Sequence, residues 1–241
     1  MNILTFDIEE WYIEKIYNGD RETKYKQFEK ILDELLNILD AYKIKGTFFC
    51  LGKMASDFSD IVKKIAERGH EIGCHSNKHI WLNKISLYES KEDTHIAIDS
   101  IEQLIGKKVK GYRAPAFSIG EKNKWALEVL KENGIEYDCS IFPAVRDYGG
   151  FPSFVEHKPT TIKYNGIEIK EFPISMTKIF GKDIVFSGGG YFRLFPLTFI
   201  KNMIESSDYN MFYFHSGDLI NERYKFLNKE EYERYFKEEG T

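Results

Sequence analysis

Apolar residues fall into two alternating patterns along the chain. Short segments at residues 2–6, 44–51, 70–74, 109–112, 135–140, 167–172 and 211–215 read as strands, with nearly continuous apolar runs at 2–6 and 211–215 and mixed apolar and polar positions in the others. Between them the apolar positions recur at helical spacing. Phe28, Ile31, Leu32, Leu35, Leu36, Leu39 and Tyr42 predict a helix over 27–42 with one apolar face. Ile61, Ile65 and Ala66 mark a second helix, closed by Gly69. Ser86-Leu87-Tyr88-Glu89 reads as a capping box opening a helix that runs to about Ile105, where Gly106 stops it. Further helices are expected at 121–132, ended by Gly134, and at 196–204, opened by Pro196. A charged, mildly amphipathic helix is expected at 228–239. Residues 142–159 hold three of the six prolines and the Gly149-Gly150 pair, and predict a long loop of the kind that often serves function. Ser187-Gly188-Gly189-Gly190 predicts a flexible turn, either a plain linker or a loop edging the site.

Seven strands alternating with helices predict an α/β protein, a distorted (β/α)7-type barrel forming a single domain over residues 1–241. In such a barrel, chemistry gathers at the carboxyl ends of the strands. Asp7, His75, Arg113, Asp138 and His215 all lie at or near predicted strand ends.

Composition narrows the function classes. Charged residues make up 30% of the chain, with a net charge of -4 and no basic block, which argues against a nucleic-acid partner. Aromatic content is 15%, enough for some rings to line a sugar groove as well as the core. Cys50, Cys74 and Cys139 are odd in number and widely spaced, which fits reduced thiols better than a disulfide framework. The amino-terminal residues show no signal-peptide pattern and no apolar run has the length of a membrane span, so a cytoplasmic location is expected.

The candidate chemistry starts at Gly73-Cys74-His75-Ser76-Asn77-Lys78-His79. Two histidines four apart on a helical turn would face one side and reach one zinc ion. Asp7-Ile8-Glu9-Glu10 puts three carboxylates directly after an apolar strand, where half-buried acids need partners. A metal and an arginine would supply them, and Arg113 is placed to hold a site carboxylate ionised. His215 ends an apolar strand, where it is either a satisfied core histidine or a site residue. His70, His95 and His157 stand in no constellation and are read as structural or surface residues.

In order, Thr5-Phe6-Asp7, His75-Ser76-x-x-His79, Gly111-Tyr112-Arg113-Ala114-Pro115 and Phe214-His215 resemble the signature segments of the polysaccharide deacetylase family, carbohydrate esterase family four or NodB homology domain. The resemblance spans most of the chain, from Thr5 to about His215. Asp-Ile-Glu-Glu, Tyr-Arg-Ala-Pro-Ala-Phe-Ser-Ile and Gly-Gly-Gly-Tyr-Phe-Arg-Leu resemble a bacterial branch linked to exopolysaccharide or surface-glycan synthesis. The family implies a distorted barrel, a divalent metal ion (zinc in our reading) and an N-acetylated sugar or glycan as substrate. It implies Asp7 as catalytic base, Arg113 as its brace, His215 as general acid, and His75 and His79 as metal ligands. Pro115, Ala116 and Tyr191 are expected at the substrate, with a backbone N–H near Ala116 facing the oxyanion. Ile8 stands where the family often has a second aspartate, so the third ligand falls to Glu9 or Glu10. Residues two apart in an extended segment share a side, which favours Glu9 beside Asp7.

Three rivals stand against this reading. The same fold can act on an O-acetyl ester or a linear or cyclic amide. A glycan-binding module that has lost catalysis would not need Asp7, His75, His79 and His215 together. A purely structural metal site would be expected to have a fourth protein ligand.

Overall fold

The computed structural model describes residues 1–9, 21–146, 149–179, 182–215 and 218. Ten strands are present among them: β1 (Asn2–Ile8), β2 (Thr47–Cys50), β3 (Glu71–Cys74), β4 (Gly111–Tyr112), β5 (Tyr137–Asp138), β6 (Thr160–Tyr164), β7 (Ile167–Glu171), β8 (Met176–Ile179), β9 (Lys182–Val185) and β10 (Asn210–His215). Eight form one sheet in the order β10-β1-β2-β3-β4-β5-β7-β6, and β8 and β9 form a separate hairpin. All seven strands anticipated from the sequence lie in the large sheet, and all seven run parallel. β6 adds antiparallel to β7. Its turn is Asn165-Gly166, both at positive φ (46° and 82°), the residue pair that a two-residue hairpin of this hand favours.

The helices follow the apolar spacing. Arg21–Ala41, Ser59–Glu67 and Leu87–Ile105 lie against the sheet, and Phe28, Leu32, Leu36, Ile61, Ile65, Ala97 and Ile101 are buried in one core with Phe48 and Ile72. Ser86 and Glu89 close a capping box at the start of Leu87–Ile105, and Gly106 ends that helix at φ 66°. The expected 121–132 helix is shorter, a 3-10 turn at Glu121–Asn123 followed by Ala126–Glu132. Helix Leu197–Glu205 is capped by Pro196. The expected 228–239 helix lies outside the described residues.

The sheet is strongly curled. Three strand spacings of ~4.8 Å would put β1 and β4 about 14 Å apart in a flat sheet. Yet Arg113, directly after β4, bonds Thr5 and Asp7 on β1 and meets Met211 on β10. The strict (β/α)7 alternation does not hold. The expected long loop and the unexpected β6, with no helix, stand between β5 and β7, and the β8–β9 hairpin precedes the two helices before β10. Among the described residues no β7–β10 pairing closes the ring. Ile174 N–H donates to Ile141 O on one side, while Met211 N–H donates to Ser175 Oγ and Tyr213 N–H to Ser187 O on the other. No helix among the described residues is long and apolar enough to cross a membrane.

Register explains where the site forms. Asp7 pairs with His215 and with Phe49, which pairs with Gly73, so all four lie in one row. The next row, Ile8, Cys50, Cys74, Tyr112, Asp138 and Glu171, points to the other face. One residue further, backbone bonds from His75 N–H to Cys50 O and from Arg113 N–H to Cys74 O continue the ladder. Asp7, Glu9, His75, Arg113 and His215 therefore share the concave side.

Candidate metal centre and active site

Glu9, His75 and His79 each offer a donor atom, and the three atoms lie within 4.8 Å of one another. Glu9 Oε2 is 2.6 Å from His79 Nε2, and the two imidazole rings are 5.2 Å apart. His75 Nδ1 lies 2.8 Å from Arg113 O. A carbonyl only accepts, so Nδ1 carries the proton and the lone pair sits on Nε2, the tautomer a metal ligand needs. Two imidazole nitrogens and one carboxylate oxygen fit a divalent ion such as zinc, with room left for water or substrate. Burial holds His75 down at about 4 against the pull of Asp7, so its ring is neutral at pH 7. Burial alone would raise the Glu9 carboxyl, but the charges on His79 and His215 outweigh it and hold it far below the carboxylate range. The i and i+2 argument thus places Glu9 beside Asp7. Glu10 lies outside the described residues.

The histidine pair is not on a helical turn, as its spacing suggested. Ser76 and His79 both adopt positive φ (65° and 58°), a conformation that costs of order 1–3 kcal/mol per residue and persists only where neighbours impose it. Ser76 Oγ accepts from His79 N–H at 3.0 Å, and Asp93 on helix Leu87–Ile105 accepts from Asn77 N–H at 2.9 Å. The first N–H groups of helix Gly52–Asp57, on Gly52 and Lys53, donate to Ser76 O and Asn77 O. A Cβ on Gly52 would stand 2.5 Å from Ala97 Cα, so glycine is needed for this approach. Helix propensity at 75–79 loses to these four tethers.

Beside the cluster, Arg113 is wholly buried and donates through one nitrogen to Asp7 Oδ1 and Thr5 Oγ1, both at 2.8 Å. Its Nε donates to Cys139 O, and its guanidinium stacks over Phe49 at 4.4 Å. Burial opposes the Arg113 charge, but Asp7 more than restores it, so the guanidinium stays charged. His215 Nε2 lies 4.0 Å from the other Asp7 oxygen, Oδ2, and 3.5 Å from Glu9 Oε1. Asp218 Oδ2 accepts from His215 N–H at 2.9 Å and stands 3.4 Å from Nδ1, while Arg193 holds Oδ1 at 2.9 Å. Burial would lower His215, but Asp218, Glu9 and Asp7 push it up to about 10, so it is an imidazolium at neutral pH.

The remaining expected contacts lie in the turn after Arg113 and in the aromatic cluster beside it. Pro115 is buried and Ala116 half-buried at φ 54°, in the turn that follows Arg113. Tyr191 packs at the edge of the aromatic cluster of Phe49, Phe117 and Tyr213. The glycine stretch at 187–190 is not a free linker: Gly189 opens helix Gly189–Leu194, and a Cβ on Gly188 would meet the Tyr213 ring at 2.5 Å. His70 is structural as expected, its Nδ1 accepting from Gly46 N–H, and His95 and His157 are exposed. All three cysteines are buried and free.

Sequence reasoning missed Asp93, Arg193 and Asp218. Asp93 carried a signal, because it falls in the buried stripe with Ser90, Thr94 and Ala97, where an acid needs a partner. Arg193 and Asp218 carried none: Arg193 meets Asp218 across the fold, and Asp218 reaches back to His215 without any periodic pattern.

A curled α/β sheet with a carboxylate–dihistidine cluster beside an arginine-braced aspartate defines a candidate metallohydrolase architecture. The chain belongs to the polysaccharide deacetylase family, which it matches over residues 3–137. Residues 139–238 match a second family, described as a domain of unknown function, DUF3473. A peptidoglycan-N-acetylglucosamine deacetylase from Bacillus cereus is 33% identical over 135 residues, 52% of this chain and 48% of that protein. A Mycobacterium smegmatis structure described as a polysaccharide deacetylase has a TM-score of 0.66 at 20% identity, covering 89% of this chain and 76% of that one. A family 4 pseudoenzyme from Bacillus anthracis has a TM-score of 0.53 at 15% identity, covering 90% and 54%. The last two likenesses concern the fold. The chain spans about half the length of the curated relatives it matches.

Proposed function

We propose that this chain is a metal-dependent hydrolase that removes the N-acetyl group from an N-acetylated sugar of a glycan. The observation that carries the reading is the setting of Asp7, braced by Arg113 on one oxygen and facing His215 with the other, beside the Glu9, His75 and His79 cluster. A divalent ion held by Glu9, His75 and His79, zinc in our reading, would polarise the acetyl carbonyl and lower the pKa of water. Asp7, braced by Arg113, takes the proton from the attacking water. A backbone N–H of the Pro115–Ala116 turn donates to the oxyanion. His215, kept protonated by Asp218, gives its proton to the leaving nitrogen, and acetate departs from a free amino sugar. Pro115, Ala116 and Tyr191 bound the sugar.

The name of the Bacillus cereus relative supports an N-acetylhexosamine substrate, and the Gly-Gly-Gly-Tyr-Phe-Arg-Leu stretch supports a surface or exported glycan. The test is a product assay of the metal-loaded protein on N-acetylglucosamine oligomers and on O-acetylated glycans. Acetate and new primary amine should appear in equal amounts from the oligomers. Acetate without amine would move the assignment to O-esters, and glycan binding without turnover would make the protein a non-catalytic binder.

A further inference from the structure

Asp138 and Glu171 take no part in the chemistry above, yet both are completely buried. They are register partners at the carboxyl ends of β5 and β7 and lie within hydrogen-bonding reach of each other. Their four oxygens divide in a simple way. Asp138 Oδ1 accepts from Ser140 Oγ at 2.5 Å, and Glu171 Oε1 accepts from Ile141 N–H at 3.1 Å. Asp138 Oδ2 and Glu171 Oε2 are buried without a donor. One hydrogen between those two oxygens satisfies both, whereas two bare carboxylates would place unpaired like charges out of water.

The network reaches the active-site turn. Ser140 Oγ, while donating to Asp138, accepts from Ala114 N–H at 2.7 Å. Ala114 stands between Arg113, which braces Asp7, and the Pro115–Phe117 turn, in which Ala116 and Phe117 hold positive φ. We propose that Asp138, Ser140 and Glu171 are positioning residues, a buried relay with one shared proton that fixes the Arg113–Phe117 turn from behind. The catalytic consequence rests on the deacetylase reading; the relay itself does not.

Burial raises both carboxyls, Asp138 to about 6 and Glu171 well above the usual range, where the Asp138 charge adds to the effect. Tyr112, Arg113, Cys139 and Tyr209 are the other titratable groups that feel the pair. Burial keeps both phenols and the thiol protonated, so Arg113, committed to Asp7, is the one charge among them. Raised folded-state values mean that the stabilisation is complete in acid and is lost as pH rises through them.

Infrared difference spectra and Ala114 amide shifts of the metal-loaded protein between pH 5 and pH 9 test this. The wild type should show a protonated-carboxyl C=O band at pH 7 that disappears on alkalinisation, with the Ala114 amide shift moving in step and Tm falling. Glu171→Gln, whose amide donates permanently to Asp138, should stay folded, lose the band and keep a flat Tm over the alkaline range. Ser140→Ala should keep the band but uncouple the Ala114 shift from it. A wild-type spectrum without the band at pH 7, or an Ala114 shift that follows the band equally well in Ser140→Ala, would overturn the relay. Turnover that stays flat with pH while both signals titrate would overturn the positioning role, whereas no turnover at any pH with both signals titrating would count against the deacetylase reading alone.

Discussion

Asp7 is bonded by Arg113 on one oxygen and faces His215 at 4.0 Å with the other, and its proposed role can be tested separately from the metal. Asp7→Asn keeps the shape and an acceptor oxygen for Arg113 but removes the basic lone pair. We expect kcat to fall by about two to four orders of magnitude, the usual contribution of a general base, with metal content unchanged. Metal analysis alongside single-turnover kinetics checks both halves. Glu9 differs, because its buried carboxylate converges on both imidazoles. Glu9→Gln should weaken zinc binding by at least an order of magnitude in a competitive chelator titration, since even changes behind the ligands cost about 10–100-fold. At this scale the sequence was informative. Asp7, Glu9, His75, His79, Arg113 and His215 are all brought together: Asp7, His75, Arg113 and His215 stand at or just past strand ends, and Glu9 and His79 follow two and four residues later. Asp218 was illegible, because its link to His215 depends on how the chain turns after β10.

At the scale of elements, the histidine segment shows why local spacing misled. The i and i+4 spacing predicts a helical turn, but Ser76 and His79 sit at positive φ and the loop is tied down by Asp93, Ser76 and the start of helix Gly52–Asp57. Propensity says nothing about such tethers. Asp93→Ala leaves Asn77 N–H buried without an acceptor, at a cost of about 1–3 kcal/mol. It should also lower zinc affinity about 10–100-fold through disorder of the His75–His79 loop, while catalytic groups on β1 and β10 stay in place. Denaturant melts and zinc titrations of the variant check the two effects, and unchanged zinc affinity would show that the loop holds its shape without Asp93. The same limit explains β6. Asn165-Gly166 was a hairpin signal in the sequence, but Thr160–Tyr164 alternates partly buried and exposed residues, as an edge strand does, and offered no continuous apolar run.

For the whole molecule, the two family matches meet between residues 137 and 139, within β5. The sheet runs straight through that junction, since Tyr137 pairs with Lys170 and Asp138 with Glu171. The site is likewise shared: Asp7, Glu9, His75, His79 and Arg113 come from the first segment, and His215 and Asp218 from the second. The seven parallel strands were legible because they alternate with segments of helical spacing, although β7 exposes Glu168 and Lys170 between its buried residues. The way the ring closes was not, because Phe172–Ser175 and Ser187 bridge it with irregular backbone that has no periodic pattern. A site assembled from both segments should couple metal binding to the stability of the whole. Zinc at 100 times its Kd should add about 2.7 kcal/mol of stability. Calorimetry should show one transition moving to higher temperature, with no such shift in Glu9→Gln. The most direct measurement of the central claim is anomalous diffraction at the zinc edge from crystals grown with zinc. The account predicts one strong peak about 2.0–2.2 Å from a Glu9 carboxylate oxygen and from a ring nitrogen of each of His75 and His79. A peak bonded to His215 or Asp7 in place of Glu9, or no peak at the cluster, would contradict it.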